Sequence, residues 1–244
     1  MLLIPLKAQR VQSGSDLLLS LSKALADAGE SLKDQDIIVI TSKVVAYSQG
    51  LLRQIPSREA FRDLVKQEAD KVLEEGDMVL TMKNKVLIPN AGIDNSNTPE
   101  GNVILWPKDP FGYAREIRQS LMNQFGVTDL GVVISDSHCQ PLRMGTSGIA
   151  IGWAGFEGVE DVIGSEDLFG RKMKYTKIAS ADNLASAANL EMGETDASVP
   201  YVLVRNAKVI FSDKDFSEDD YFIHPEDCIY RGLYNQNLTS YDPS

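Results

Sequence analysis

Carboxylates in polar loops are the residues of this sequence best suited to chemistry. Asp94 lies in NAGIDNSN, Asp136 follows the apolar run GVVIS, and Glu194 lies with Asp196 in MGETD. Their oxygens suit hard cations such as Mg²⁺ or Mn²⁺, which usually keep waters or substrate phosphates in the coordination shell. One or two carboxylates in each loop would therefore be enough for a metal site. The alternative is that each is an ordinary turn former, because Asp, Asn and Ser are common in turns.

Neighbouring polar groups could complete such a site. The hydroxyl of Ser137 and the amides of Asn95 and Asn97 lie beside the acidic residues. Lys43 and Arg143 could neutralise phosphate or carboxylate charge, the lysine as a point charge and the arginine as a planar fork. Either cation could equally be a surface residue.

His138 and Cys139 could indicate zinc or a Cys/His nucleophile pair. Zinc needs three or four spaced ligands, and the remaining His and Cys residues are His224 and Cys228. Adjacent side chains on an extended chain also point to opposite faces. We therefore expect a buried Cys139 and a hydrogen-bonded His138, although a zinc site built from all four residues remains an alternative.

A glycine-rich run follows these residues. Gly145, Gly148, Gly152 and Gly155 could let the backbone approach a phosphate, but the run lacks the Lys-Ser/Thr ending of a P-loop. We expect these glycines to leave room for backbone contacts with a substrate.

Alternating patterns and end signals predict the elements that must position these residues. Ligands often bind where strands of a sheet end, so the strands that end at Thr41-Ser42-Lys43 and at Asp136 are of most interest. The predicted elements are a helix in DLLLSLSKALADAG, the strand DIIVI, a helix from Arg58 to Leu73, a hairpin turning near Lys83-Asn84, a helix entered through Asp109-Pro110, the strand LGVVISD, a helix from Ala181 to Met192 and the strand YVLVR.

The irregular mixture of strands and helices predicts an α+β fold. No linker divides the 244 residues, of which 43% are hydrophobic, so we expect a single domain over 1–244, in one body or two intimately joined lobes, with an acidic C-terminal tail over 212–244. The net charge of -11 argues against nucleic acid as a partner. The opening MLLIPLKAQR lacks a long apolar segment, so we expect no membrane partner and a cytoplasmic location.

Taken in order, these motifs resemble the coenzyme F-420 gamma-glutamyl ligases. Each motif is common, but the ordered set is specific and extends from DIIVITSK to VLVRN. The matching motifs are ITSKVV, NAGIDNSN followed by LWPKDPFG, VVISDS with PLRMG and GIAIG, DLFGR, ASADNLASAANLEMGE and the strand that begins at Pro200. The resemblance implies a gamma-glutamyl-ligase-like fold with mixed, largely antiparallel sheets and flanking helices.

The resemblance also implies roles for individual residues. Asp94 and Asp136 correspond to the family's metal-binding aspartates, and Ser137 keeps the hydroxyl of a family threonine. Ser42 with Lys43 and Asn97 correspond to nucleotide contacts.

The late nucleotide and metal loop of the family corresponds to Met192, Gly193 and Glu194. Asp136 and Arg143 are the predicted catalytic residues, the arginine because it could neutralise charge at the transferring group.

The implied reaction joins L-glutamate to a small-molecule acceptor, the coenzyme F-420 precursor, through an acyl phosphate. Mg²⁺ or Mn²⁺ and GTP, with ATP as an alternative, would be required, and a homodimer is expected. A folate gamma-glutamyl ligase and a non-catalytic nucleotide- and metal-binding relative are the alternatives. The non-catalytic alternative rests on departures from the family pattern at Tyr47, Gln49, Leu51, Cys139 and Gln140.

Overall fold

The structure is a computed structural model that describes residues 1–234. The described chain forms two compact units, the first made of Met1–Gly50 and Pro107–Asp220, the second of Leu51–Trp106 and the described residues from Tyr221 onward. The last part of the predicted acidic tail, residues 235–244, lies outside the described residues. The description as a single domain stays a prediction.

The elements alternate irregularly along the chain. The strands are β1 (Leu2–Leu6), β2 (Asp36–Thr41), β3 (Leu52–Gln54), β4 (Lys71–Glu75), β5 (Val79–Lys83), β6 (Val86–Pro89), β7 (Asn102–Ile104), β8 (Leu130–Cys139), β9 (Thr146–Ala154), β10 (Glu160–Asp161), β11 (Lys177–Ile178) and β12 (Tyr201–Arg205). The α-helices are α1 (Leu17–Asp27), α2 (Ser42–Ser48), α3 (Arg58–Glu68), α4 (Pro110–Phe125), α5 (Ser180–Met192) and α6 (Arg231–Tyr234). No helix within residues 1–234 combines the length and the apolar character that crossing a membrane requires.

A five-stranded sheet forms the core of the first unit, in the order β1-β12-β2-β8-β9. Only β2 and β8 pair in parallel, and the other neighbours are antiparallel. Helices α4 and α5 pack against β8 and β9. The α+β fold with mixed, largely antiparallel sheets and flanking helices is therefore confirmed.

The second unit holds the smaller sheets β3-β7 and β4-β5-β6. The predicted hairpin is confirmed, because β5 and β6 pair antiparallel across Asn84 and Lys85, whose φ angles are 47° and 62°. Both residues adopt the left-handed conformation that a tight two-residue hairpin turn demands.

The structure differs from the predicted elements at the end of one helix and after the strand DIIVI. The helix that begins after the Ser57 cap ends at Glu68 rather than at Leu73, because Lys71–Glu75 pairs with β5 as a strand. The residues after DIIVI continue directly into helix α2, an element that the sequence analysis did not predict. In both places tertiary pairing and packing, which local patterns do not report, decide the structure.

A buried ion cluster holds the start of β2. The carboxylate of Asp36, 2% exposed, accepts hydrogen bonds from Arg205 Nε at 3.1 and 3.2 Å. Arg205 also donates to Glu30 Oε2 and to the carbonyl oxygen of Ser31, both at 2.6 Å. The cluster joins β2 to the end of β12.

We expect Arg205→Met to lower the free energy of unfolding by about 3 to 5 kcal/mol, because the variant leaves the Asp36 carboxylate buried without its cation. Urea denaturation measures the change. The matched control is Lys177→Met, which breaks an exposed pair with Asp161 and should cost less than about 1 kcal/mol. Equal losses in the two variants would contradict the assigned role of the cluster.

Candidate functional site

Strand β8 carries Asp136 from the buried core toward solvent. Residues Leu130–Ser135 are buried, whereas Asp136 and Ser137 are only partly so. The prediction that the strand ends at Asp136 is wrong, because pairing with β9 extends β8 to Cys139. Asp136 therefore lies within a paired strand, at the boundary of the core.

The parallel pair brings two predicted motifs to one edge of the sheet. Thr41, the last residue of β2, pairs with Ser135 of β8. Ser42 and Lys43 follow the first of these residues, and Asp136 follows the second. Ser42 is buried at the start of α2, and Lys43 is half-buried beside it.

Helix α5 covers one face of the β8–β9 ribbon. A Cβ at Gly148 would lie 2.4 Å from the carbonyl oxygen of Ala185 in α5. Ser137 pairs with Gly148, so its side chain shares that face. Ser135, two residues earlier on β8, is consistent with this, because its Oγ lies 3.9 Å from Met192 Sδ on α5.

Asp136 lies on the other face of the ribbon. Side chains alternate along a strand, so Asp136 shares its face with Ile134. Ile134 pairs with Gly152, where a Cβ would lie 2.6 Å from the carbonyl carbon of Pro110 at the start of α4. Asp136 Oδ1 accepts a hydrogen bond from the Ser137 amide at 2.8 Å.

The expected room for a substrate at the glycines is absent in three of the four positions. Gly148 and Gly152 are filled by the helices just described, and a Cβ at Gly155 would lie 2.0 Å from the carbonyl oxygen of Leu130. Only Gly145, in the β8–β9 turn, has no atom within 4 Å of that position. Gly148, Gly152 and Gly155 thus permit close packing of the chain instead of leaving space for a substrate.

The Met192–Glu194 segment ends α5 beside the same ribbon. Met192 is buried, and Gly193 ends the helix with φ 67°. Glu194 Oε1 accepts hydrogen bonds from Thr146 Oγ1 at 3.2 Å and from Asn189 Nδ2 at 3.0 Å. Thr146 pairs with Cys139, which lies two residues after Ser137 on β8, so the side chains of Thr146, Cys139 and Ser137 share one face. Glu194, which is bonded to Thr146, therefore lies on the α5 side of the ribbon.

In the second unit, Asp94 lies in a hydrogen-bonded turn. Its backbone pairs with Ile104, with N–O distances of 3.1 and 2.8 Å. Its carboxylate accepts hydrogen bonds from the Ser96 amide at 2.7 Å and the Ser96 hydroxyl at 2.8 Å. Asp94 is partly buried, whereas Asn97 is exposed and has φ 55°. Both residues act as turn formers here, and their metal and nucleotide roles stay predictions.

Arg143, His138 and Cys139 lie toward the tip of the β8–β9 hairpin. Arg143 is exposed in the turn. The hydrogen-bonded His138 is confirmed: its Nδ1 lies 3.0 Å from the carbonyl oxygen of Ser147, so this nitrogen carries the proton. The expected burial of Cys139 is wrong, because the hairpin has left the core at that point.

Two of the departures from the family pattern have structural explanations. Gln49 makes a reciprocal pair of hydrogen bonds with the backbone of Lys108, accepting from its amide at 2.8 Å and donating to its carbonyl oxygen at 2.9 Å. Tyr47 is buried in α2.

Asp182 is a residue that the sequence analysis missed. It lies in the first turn of α5, where its Oδ1 accepts a hydrogen bond from the Ala150 amide of β9 at 2.9 Å. Burial raises the pKa of the Asp182 carboxyl, and the Ala150 hydrogen bond and nearby His138 oppose that shift only in part. An acidic residue in a first helical turn is the only signal in the sequence, and it resembles ordinary capping chemistry.

The oxygen donors of the ribbon suit a hard cation whose coordination shell is completed by water and by a substrate. Within residues 1–234 no three His, Cys, Asp or Glu side chains form a group that could hold a metal ion by themselves. Mg²⁺ commonly takes one or two protein carboxylates and completes its shell with waters and phosphate oxygens. Asp136 can supply such an oxygen on the α4 face of the ribbon, and Ser137 and Glu194 can supply such oxygens on the α5 face.

Comparison with known proteins places the chain beside one set of enzymes. Residues 5–206 match the family model described as F420-0:Gamma-glutamyl ligase. A protein of Methanopyrus kandleri named Coenzyme F420:L-glutamate ligase is 35% identical over 84% of this chain and 86% of its own. Proteins with the same name in Archaeoglobus fulgidus and Methanocaldococcus jannaschii are 32% and 37% identical, over 91% and 74% of this chain and 93% and 79% of their own.

Asp182→Asn should reveal the cost of the partly buried charge. The amide oxygen can still accept the Ala150 hydrogen bond, but the variant carries no charge. A carboxyl whose pKa is raised by folding contributes stability at low pH and loses it as the pH rises through the folded pKa.

We therefore expect the free energy of unfolding of the variant, minus that of the wild type, to increase from about pH 4 upward and then level off. Urea denaturation at a series of pH values up to pH 8 measures this difference. A difference that falls as the pH rises would contradict the assignment.

Proposed function

Because this chain belongs to the F420-0:gamma-glutamyl ligase family, we propose that it forms an amide bond between L-glutamate and a carboxylate of the deazaflavin F420-0. The observation that carries the proposal is the edge of the sheet where Ser42 follows β2 and Asp136 follows the buried part of β8. Residues that carry hydroxyl, ammonium and carboxylate groups thus lie at one end of a parallel strand pair within the matched residues 5–206.

Amide formation requires that the acceptor carboxylate be activated. In the proposed reaction, a carboxylate oxygen forms a bond to the γ-phosphorus of GTP while the bond from that phosphorus to the β-phosphate oxygen breaks, releasing GDP. The amine of glutamate then attacks the carbonyl carbon of the acyl phosphate, loses a proton and displaces inorganic phosphate. Catalysis of this kind depends on positioning and charge stabilisation rather than on a protein nucleophile.

The residues of the ribbon have distinct proposed roles. Asp136, on the α4 face, would hold Mg²⁺ or Mn²⁺, and Asp94 stays a predicted ligand. Ser137 and Glu194 lie on the opposite, α5 face and would hold a second such ion there. Such an ion would neutralise charge between the carboxylate and the phosphate. The hydrogen bonds from Thr146 and Asn189 orient Glu194 for this role.

The remaining contacts concern the nucleotide. Ser42 and Lys43 would contact its phosphates at the end of β2. Met192 and Gly193 would contact the nucleotide from the Met192–Glu194 segment. Asn97 stays a predicted nucleotide contact. The exposed guanidinium of Arg143 would neutralise charge at the transferring group.

We expect mass spectrometry to show a glutamate-sized mass gain on F420-0 when the protein is incubated with Mg²⁺ or Mn²⁺, GTP and L-glutamate. Parallel reactions contain ATP in place of GTP, or a reduced folate as acceptor. A gain on the folate alone would favour the folate ligase. Nucleotide binding without any product would favour the non-catalytic relative, and either outcome would overturn the proposal.

The same assay tests Asp136. Asp136→Asn preserves shape but removes the charge, and we expect it to lower glutamate-dependent phosphate release by about 100-fold or more, as loss of a transition-state charge stabiliser does. Asp63→Asn makes the same change on an exposed position of α3 and should leave the rate unchanged. Wild-type turnover in the Asp136 variant at saturating metal would exclude the assigned role.

We further propose that the protein acts as a homodimer in which a second copy covers residues 160–178, here called the arm. The arm exposes Leu168, Phe169 and Tyr175, at 100%, 82% and 89% of their surface. Large apolar side chains grouped on one exposed segment are typical of a protein interface. Most soluble oligomers are symmetric assemblies of identical chains, which favours a second copy as the partner.

Leu168→Asp should convert the dimer to a monomer in sedimentation velocity, because it places a charge in the covered apolar surface. The matched control is Leu19→Asp on α1, where an exposed leucine outside the arm is changed in the same way. A wild-type protein that remains monomeric at tens of micromolar would contradict the proposal.

A further inference from the structure

The β8–β9 ribbon contains one extra residue at its centre. Ser135 pairs with Ala150, whereas the preceding residue Ile134 pairs with Gly152, so Ile151 has no partner on β8. This arrangement is a β-bulge in β9, located directly beside Asp136. Bulges are common next to active sites, where they change the direction of a side chain or of the strand.

Because of the bulge, equivalent positions in the two halves of β9 point to opposite faces of the ribbon. Gly148 and Gly152 are four residues apart and would share one face in a regular strand. Instead Gly148 contacts Ala185 of α5, and Gly152 contacts Pro110 of α4. The extra residue thus lets the ribbon pack against a different helix on each face, with Ser137 and Asp136 on opposite sides.

Asp182 is bonded to the backbone at the bulge. Its Oδ1 accepts the hydrogen bond of the Ala150 amide, the residue that precedes Ile151. Another α5 residue, Ser186, donates to the carbonyl oxygen of Gly148 at 2.6 Å. Side chains of α5 therefore form hydrogen bonds with backbone groups of β9 in the segment just before the bulge.

We propose that Asp182 is a positioning residue for the reaction: by accepting the Ala150 hydrogen bond it holds the bulge, and the bulge keeps the metal-binding oxygens of Asp136 and of Glu194 in place. This inference rests on the proposed function for the metal-binding roles only. Without the acceptor, the Ala150 amide loses its partner, and a buried amide without a partner destabilises the backbone that carries it. A shift of β9 toward regular pairing would then also displace Thr146, which donates to Glu194.

The test compares Asp182→Ala, which removes the acceptor, with Asp182→Asn, which keeps an acceptor oxygen without the charge. Asn183→Ala, at the neighbouring exposed position of α5, is the matched control. Two readouts are measured on the full chain: hydrogen exchange of the Ala150 amide, and Mn²⁺ affinity by electron paramagnetic resonance in the presence of GTP.

We expect Asp182→Ala to accelerate exchange of the Ala150 amide and to weaken Mn²⁺ binding about 10- to 100-fold, as loss of a residue that orients metal ligands does. Asp182→Asn and Asn183→Ala should stay within about three-fold of the wild-type affinity, since both variants keep an oxygen that accepts the Ala150 hydrogen bond. Should the alanine variant not fold, Asp182→Ser, whose shorter side chain draws the acceptor away from Ala150, replaces it in both measurements.

An alanine or serine variant that folds with wild-type exchange and wild-type Mn²⁺ affinity would overturn the inference. So would an asparagine variant that binds Mn²⁺ as weakly as the alanine variant, because charge rather than the hydrogen bond would then be required. A wild-type protein that binds no Mn²⁺ would instead reject the proposed function, while the exchange of Ala150 would still report on the bulge.

Discussion

The parallel pairing of β2 with β8 is the interaction on which the rest of the first unit depends. Its register runs from Asp36 opposite Leu130 to Thr41 opposite Ser135, through rows of buried aliphatic side chains. Parallel strands end at the same edge, so this register alone delivers Ser42 and Asp136 to one place. At the opposite end, the buried cluster around Arg205 holds the start of β2.

The antiparallel strand β9 adds what a parallel pair cannot supply by itself. It extends β8 beyond the core and keeps Asp136 on a paired, and therefore rigid, backbone. The pairing includes a single-residue bulge, and α5 and α4 approach the backbone of β9 closely at Gly148 and Gly152. A site whose ligands lie on rigid strands is held more precisely than one built on loops.

Local sequence patterns predicted most elements of the fold. Three helices that local signals predicted begin after N-cap side chains at Asp16, Ser57 and Asp109, and the apolar run of β2 forms a strand as predicted. The errors arose where distant segments decide the outcome. Lys71–Glu75 becomes a strand only because β5 lies beside it, and β8 continues past Asp136 only because β9 pairs with it. Asp182 escaped notice for the same reason, since its importance lies in a contact with a residue far away in sequence.

The central claim is that Asp136, delivered by the β2–β8 pair, binds the divalent cation that accompanies the nucleotide. The most direct measurement is a crystal structure of the protein with Mn²⁺ and a non-hydrolysable GTP analogue, using anomalous scattering to locate the metal. We expect an anomalous peak within coordination distance of the Asp136 carboxylate and close to a phosphate oxygen. An ordered nucleotide with Mn²⁺ bound elsewhere, and with Asp136 making no contact to the ion, would contradict it.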